Sequence, residues 1–120
     1  MGLVRDIMVR TVITIEHDKT AKDVALLFAE KAISSLVVVQ DGKPIGLVTE
    51  RDLARKVSTT DRKSAEVPLS EIMSPNFRWV EPMTQIEDAV QKMLNKNVRR
   101  LLVLDNNNLV GIITETDLAK

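Results

Sequence analysis

The stretch GLVTERDLA occupies residues 46–54, and GIITETDLA occupies residues 111–119. Gly111 minus Gly46 is 65, and sliding the chain along itself by 65 residues pairs Ile7 with Ile72, Met8 with Met73, Glu16 with Glu81, Asp23 with Asp88, Leu36 with Leu101 and Val38 with Val103. No gap is needed, so the chain reads as a tandem duplication of residues 3–57 and 69–120. Between the copies stands STTDRKSAEVP, residues 58–68, a polar run closed by Pro68 that reads as a linker. Drawn as domains, the expectation is a first repeat over 1–60, a linker over 61–68 and a second repeat over 69–120.

Each copy alternates strand and helix signals. TVITI (11–15) and FRWV (77–80) are short β-branched or aromatic runs that predict strands. Ile86, Ala89, Val90, Met93 and Leu94 recur at the spacing of one helix face, as Val24, Leu27 and Phe28 do in the first copy. SLVVV (35–39) and RLLVL (100–104) predict buried strands, each joined through a QDGKP or DNNN turn to IGLV (45–48) or VGII (110–113). Thr49 and Thr114 stand where the last strand gives way to a helix. Each copy is thus a β-α-β-β-α unit of α/β class, too small to hide both faces of its sheet alone. Two copies packed about a pseudo-twofold axis through their small sheets would bury the remainder.

Composition narrows the chemistry. A chain of 120 residues with 17 basic and 17 acidic side chains has no global field to attract nucleic acid, an anionic membrane or an acidic partner. The absence of cysteine excludes disulfides and thiolate metal sites, and His17 has no second histidine with which to share a metal. MGLVRDIMVR lacks the apolar core of a signal peptide, Asp6 stands where a myristoylation signal wants Ser or Thr, and no apolar run reaches the roughly 18 residues of a membrane span. The expectation is a cytoplasmic protein without membrane or nucleic-acid partners. No phosphate-binding GxxxxGK[ST] run, no nucleophile beside a histidine and no metal cluster can be read, so no catalytic residue, metal or catalytic cofactor is expected. With little aromatic content, Trp79 and Phe77 read as core or interface anchors rather than base-stacking platforms. Met8 and Met73 read as core, His17 as an exposed loop residue, and the run Asp105 to Asn108 as a turn rather than a calcium loop.

The repeated motif admits two chemistries. Thr49-Glu50-Arg51-Asp52 has the spacing of a capping box, in which a hydroxyl and a carboxylate satisfy the first amides of a helix. The same helix start also suits an anion, though the spacing alone favours the cap. Gly46 and Gly111 permit a close backbone approach at the cleft or merely relieve crowding in the sheet. Arg99 and Arg100, immediately before a buried strand, are either an exposed hydrophilic pair or a forked clamp for phosphate oxygens.

The order of elements, the length of each copy, the opening DIM or EIM and the closing G-h-h-T-E-x-D-L-A, where h is apolar, resemble tandem CBS domains, the Bateman module, over essentially the whole chain. One departure is that Val37 and Leu102 stand where the family's second strand typically has proline. The resemblance implies a non-enzymatic, energy-sensing regulatory module that binds an adenine nucleotide (AMP, ADP or ATP) as a regulatory ligand in clefts between its two repeats. The alternative is an interaction or assembly domain with no physiological nucleotide. The resemblance further implies that the motif's Asp accepts hydrogen bonds from ribose hydroxyls, that its Thr touches ribose or phosphate, and that the other repeat completes each site. Site A is then Thr49, Arg51 and Asp52 with Asn76, Arg78, Arg99 and Arg100, and site B is Thr114, Thr116 and Asp117 with Thr11, Ile13, Ser34 and Ser35. Backbone groups around Ile13 or Arg78 would read the adenine edge. Because Arg99, Arg100 and Arg51 align with Ser34, Ser35 and Thr116, site A is expected to favour phosphate. A homodimer and an unidentified effector protein are the implied partners.

Overall fold

Both hairpins close through the same kind of two-residue turn. Asp41 and Gly42 have φ of 53° and 77°, and Asn106 and Asn107 have 51° and 67°. Positive φ at both central positions is the backbone that matches the twist of adjoining antiparallel strands, and Asp, Asn and Gly are the residues that tolerate it. In this computed structural model, which describes residues 2–118, the sequence duplication is also a backbone duplication. The first copy comprises α1 (Val4–Ile7), β1 (Thr14–Glu16), α2 (Ala21–Lys31), β2 (Ser35–Gln40), β3 (Lys43–Thr49) and α3 (Glu50–Lys56). The second comprises α4 (Leu69–Ile72), β4 (Trp79–Val80), α5 (Ile86–Lys96), β5 (Arg100–Asp105), β6 (Asn108–Thr114) and α6 (Glu115–Leu118). The protein is therefore mixed α/β, with two three-stranded sheets ordered β1-β2-β3 and β4-β5-β6. In each sheet the first strand runs parallel to the second, and the second antiparallel to the third. A single helical turn, α1 or α4, precedes the β-α-β-β-α order expected for each copy. The first strands are shorter than the runs that predict them, because β1 leaves out Thr11 to Ile13 and β4 leaves out Phe77 and Arg78.

The chain divides into two compact units, Ile13–Asn76 and Met1–Val12 with Phe77–Lys120. The division cuts each copy just after its leading segment, so a compact unit is not a sequence repeat. In the first unit Val67, Leu69 and Ile72 join Ile15, Val24, Phe28, Leu36, Val38 and Val48 in one core. The Ala21 amide donates to the Val67 carbonyl at 2.9 Å, and the Leu69 amide to the Lys19 carbonyl at 3.2 Å. In the second unit Val4 and Met8 join Val80, Ala89, Met93, Leu101, Val103 and Ile113, with the Val4 amide donating to the Thr84 carbonyl at 2.8 Å. Each copy's leading segment therefore completes the core beneath the other copy's sheet. Val67, at the end of the polar run that reads as a linker, is 1% exposed. The preceding residues form a short 3-10 turn, Ser64–Glu66, flanked by an ion pair between Arg62 and Glu71. Trp79 belongs to neither core: it is 40% exposed, with the Lys92 ammonium 5.7 Å from its ring centroid.

Two predictions follow from this construction. A fragment of residues 1–60 lacks Val67, Leu69 and Ile72, whose burial contributes about 1.5–3 kcal/mol each. Residues 13–76 retain them, so this fragment is expected to show the sharper urea transition by circular dichroism, and the reverse ranking would refute the exchange of leading segments. Separately, α2 and α5 both end on a left-handed residue, Ala32 with φ 54° and Asn97 with φ 53°. Alanine has no polar side chain to offset the steric cost of that conformation, about 1–2 kcal/mol, and Asn tolerates it. Ala32→Asn is expected to raise stability by about 0.5–1 kcal/mol, and a lower urea midpoint would contradict this.

Candidate functional site

Each repeated motif lies at a strand-to-helix junction, and most of its letters have a task inside the fold. Past α4 the chain pairs with β3, the Leu47 amide donating to the Ser74 carbonyl at 2.9 Å and the Ser74 amide returning the bond at 2.8 Å. Val9 and Ile112 exchange the equivalent bonds at 2.9 and 3.0 Å. That pairing lays Met73 on Gly46 and Met8 on Gly111. A Cβ at Gly46 would stand 2.7 Å from Met73 Sδ and 3.2 Å from the Ser74 carbonyl oxygen; at Gly111 it would stand 2.7 Å from Met8 Sδ and 3.0 Å from the Val9 carbonyl oxygen. Of the two readings of these glycines, relief of crowding in the sheet holds, and the crowding groups are the protein's own methionine and the carbonyl that follows it. Val48 and Ile113 are fully buried, while Leu53 and Leu118 pack against the two cores. Ala119, the last letter of the second motif, lies outside the described residues.

Both capping boxes are formed. The Thr49 amide and hydroxyl donate to Asp52 Oδ2 at 2.8 and 3.1 Å, and the Asp52 amide donates to Thr49 Oγ1 at 3.3 Å. Thr114 and Asp117 repeat the set at 2.9, 3.0 and 3.4 Å. Thr20, which caps α2, also donates its amide and hydroxyl to Asp23 Oδ2, at 2.9 and 3.0 Å. These bonds from the Thr20 amide and hydroxyl hold the Asp23 carboxyl below its ordinary value, against a smaller opposing effect of burial. The geometry therefore arises where the sequence reading places no ligand, and by itself it marks a helix start. Asp52 Oδ1 faces Lys56 Nζ at 3.4 Å, and Lys56 also donates to the Ile72 carbonyl at 3.1 Å. Sequence reasoning passed over Lys56, although an acid followed four residues later by a lysine on a helix is a visible signal.

The remaining site residues group by hairpin register. Ser35 lies opposite Thr49 and Arg100 opposite Thr114. The Glu50 amide donates to the Ser34 carbonyl and the Glu115 amide to the Arg99 carbonyl, both at 3.0 Å. In the first unit, then, Thr49 and Asp52 stand beside Ser34 and Ser35; in the second, Thr114 and Asp117 stand beside Arg99 and Arg100. The expected sets A and B join each motif to the other copy's pair, whereas an antiparallel hairpin sets the start of its first strand against the end of its second. Asn76 falls in the unit that holds Thr49, Thr11 in the unit that holds Thr114, Ile13 with Ser34, and Arg78 with Arg99. The Ile13 and Arg78 carbonyls accept from the Val37 and Leu102 amides, at 3.4 and 3.0 Å. Arg51, Thr116, Asn76, Arg78 and Thr11 are exposed. Arg99 reaches Glu115 at 3.9 Å in an open setting. Arg100 is half-buried, and its Nε is buried with no hydrogen-bond partner among the described residues. No group of three or more His, Asp or Glu among those residues is arranged to hold a metal ion, and none of their helices is long and apolar enough to cross a membrane.

The CBS domain model matches residues 4–59 and again 69–120, so the chain belongs to the CBS domain family and carries a tandem pair. It is 35% identical over 119 residues to the CBS domain-containing protein YhcV of Bacillus subtilis, covering 99% of this chain and 84% of that one. It matches a protein with CBS domains from Burkholderia ambifaria with a TM-score of 0.88 at 36% identity, covering 99% of this chain and 92% of the other. It also matches the CBS domain pair of protein MJ0100, in complex with 5′-methylthioadenosine and S-adenosyl-L-methionine, with a TM-score of 0.84 at 25% identity, over 99% of this chain and 94% of the other. Further curated relatives are longer, and the chain spans 57% and 38% of the next two.

Gly111→Ala forces a Cβ against a backbone carbonyl that cannot swing away as a side chain does. Overpacking of this kind costs about 1–3 kcal/mol, and the loss is expected in the urea midpoint; an unchanged midpoint would refute the contact.

Proposed function

We propose that this chain is a non-enzymatic regulatory module whose strand-to-helix junctions bind adenosine-containing ligands, with AMP, ADP or ATP as the regulatory nucleotide. The observation that carries the reading is a half-buried carboxylate, Asp52 or Asp117, fixed through one oxygen at each junction of a CBS pair. The complex of the MJ0100 pair with two adenosine-containing molecules supports it. An ionised carboxylate only accepts hydrogen bonds, and vicinal ribose hydroxyls are donors. Oδ2 already takes two bonds from the Thr, so the ribose is assigned to Oδ1. The Thr hydroxyl donates its only proton into the box, so it offers a lone pair, which suits a ribose hydroxyl and not a phosphate oxygen. Glu50 and Asp52 also commit their amides, so the Arg51 amide is the one of the first three in α3 outside these contacts. Phosphate recognition at either junction then depends on cationic side chains.

In this reading the module works in the cytoplasm as a homodimer that passes ligand occupancy to an effector protein. Leu94, 70% exposed on α5, and Leu26, 58% exposed on α2, offer apolar surface for self-association. Sedimentation equilibrium at micromolar concentration is expected to give twice the chain mass. The completed capping boxes favour a second reading, an assembly domain with no nucleotide, in which the motif serves the fold alone.

Calorimetry separates the two. An adenine nucleotide at about a hundredfold over its dissociation constant raises stability by about 2.7 kcal/mol. Asp52→Ala is expected to lose about ten- to a hundredfold in affinity at its junction, equivalent to about 1.5–3 kcal/mol, and about 1 kcal/mol of stability from the cap. No shift in melting with millimolar AMP, ADP, ATP or S-adenosylmethionine, or wild-type affinity for all of them in both a destabilised Asp52→Ala and a destabilised Asp117→Ala, would leave the assembly reading.

A further inference from the structure

We infer that the two junctions take different classes of ligand: the one built on Thr114 and Asp117 selects adenosine ligands that carry phosphate, and the one built on Thr49 and Asp52 takes adenosyl ligands that carry none. The inference rests on the adenosine reading above, but the difference comes from residues that reading does not use. The backbones correspond element by element, β2 with β5, β3 with β6 and the start of α3 with that of α6. The capping distances agree to within 0.1 Å, as 2.8, 3.1 and 3.3 Å against 2.9, 3.0 and 3.4 Å. Against that common frame the pair opening the central strand changes from Ser34-Ser35 to Arg99-Arg100.

Register fixes what the change does. Leu101 and Val103 of β5 belong to the core, so Arg100 falls on the opposite face, paired with Thr114 and one helical turn from Asp117. Its Nε is buried and without an acceptor among the described residues. A guanidinium is a planar set of donors matched to phosphate oxygens, and a buried N–H without an acceptor is a standing cost that such an oxygen removes. Among the described residues Arg99 pairs with Glu115, at 3.9 Å with side chains 83% and 64% exposed, a weak surface contact from which it can turn toward the same anion. At the other junction Ser35 takes the place of Arg100 and contributes no charge. Lys56, 3.4 Å from Asp52 Oδ1, is engaged by that carboxylate and by the Ile72 carbonyl. Arg51 is exposed on the first turn of α3.

The test is calorimetric titration of the whole chain with AMP, adenosine and ribose 5-phosphate. Wild type is expected to bind AMP about tenfold or more tightly than adenosine at one junction. Arg100→Ala and Asp117→Ala abolish that preference. Ser35→Arg, which adds a donor instead of removing one, is expected to create a second AMP-preferring site and remains informative if Arg100→Ala melts early. If adenosine and AMP bind but their ratio is unchanged in Arg100→Ala, or falls in Asp52→Ala and not in Asp117→Ala, the inference is overturned and the adenosine reading survives. Arg100-dependent binding of ribose 5-phosphate with no binding of adenosine overturns the adenosine reading and keeps the phosphate assignment. If none of the three binds, both fall.

Discussion

The reciprocal backbone bonds between Leu47 and Ser74, and between Val9 and Ile112, hold the rest of the arrangement in place. They are the point at which the segment leading one copy is stitched to the last strand of the other. The strand so fixed runs directly into Thr49 or Thr114, so the position of each capping box is set from outside its own copy. Gly46 and Gly111 are needed because the stitched segment arrives with a methionine on top of the strand. The apolar residues of the same segments, Val4 and Met8 or Leu69 and Ile72, then fill the cores. A three-stranded sheet with one short helix on its inner face has too little apolar area to fold alone. Borrowing three or four apolar side chains from the other copy is the remedy.

The exchange explains which parts of the fold were legible in the sequence. Duplication, hairpins and the two long helices are local facts, written in spacing: the 65-residue offset of Gly46 and Gly111, the Asp-Gly and Asn-Asn turns, the i, i+3, i+4 pattern of α5. Which core a leading segment enters is not local. Ile7 and Ile72, or Met8 and Met73, align perfectly whether each copy keeps its own segment or trades it. Val67 was likewise hidden, because a single valine at the end of STTDRKSAEVP has no period to display. Of the two readings of Trp79, the core one fails for a different reason: β4 has only two residues and lies at the edge of its sheet, where a large side chain can remain exposed beside Lys92.

The candidate site was legible in kind and less so in grouping. The Thr-x-x-Asp spacing gave the capping box correctly, in both copies. The neighbours of each motif came from resemblance, which drew Arg99 and Arg100 toward Asp52. Yet a hairpin sets the start of its first strand near the end of its second, so the predicted hairpins already bring Ser34-Ser35 near Thr49 and Arg99-Arg100 near Thr114. The exact pairing was not legible. Two-residue turns after Gln40 and Asp105 alone would set Ser35 against Val48 and Arg100 against Ile113, and a register shift between Val38 and Val39, and between Val103 and Leu104, moves the pairing to Thr49 and Thr114.

A duplicated chain also supplies its own control, and this bears on how much a shared motif can reveal. Whatever both copies keep is first explained by what both copies need, namely a turn, a cap and room for a methionine. Thr20 and Asp23 show that one such cap forms at a helix to which no ligand is assigned. Shared letters therefore carry little information about ligands, however closely they match a family. Differences at equivalent positions carry more, because the fold has been satisfied at the other copy without them. Ser35 begins β2 as adequately as Arg100 begins β5, so strand geometry does not call for a guanidinium there. Nor does stability, since burying a donor with no acceptor among the described residues works against the fold. The proposed phosphate ligand accounts for Arg100 by supplying that acceptor from outside the chain, with the charge and geometry a guanidinium matches.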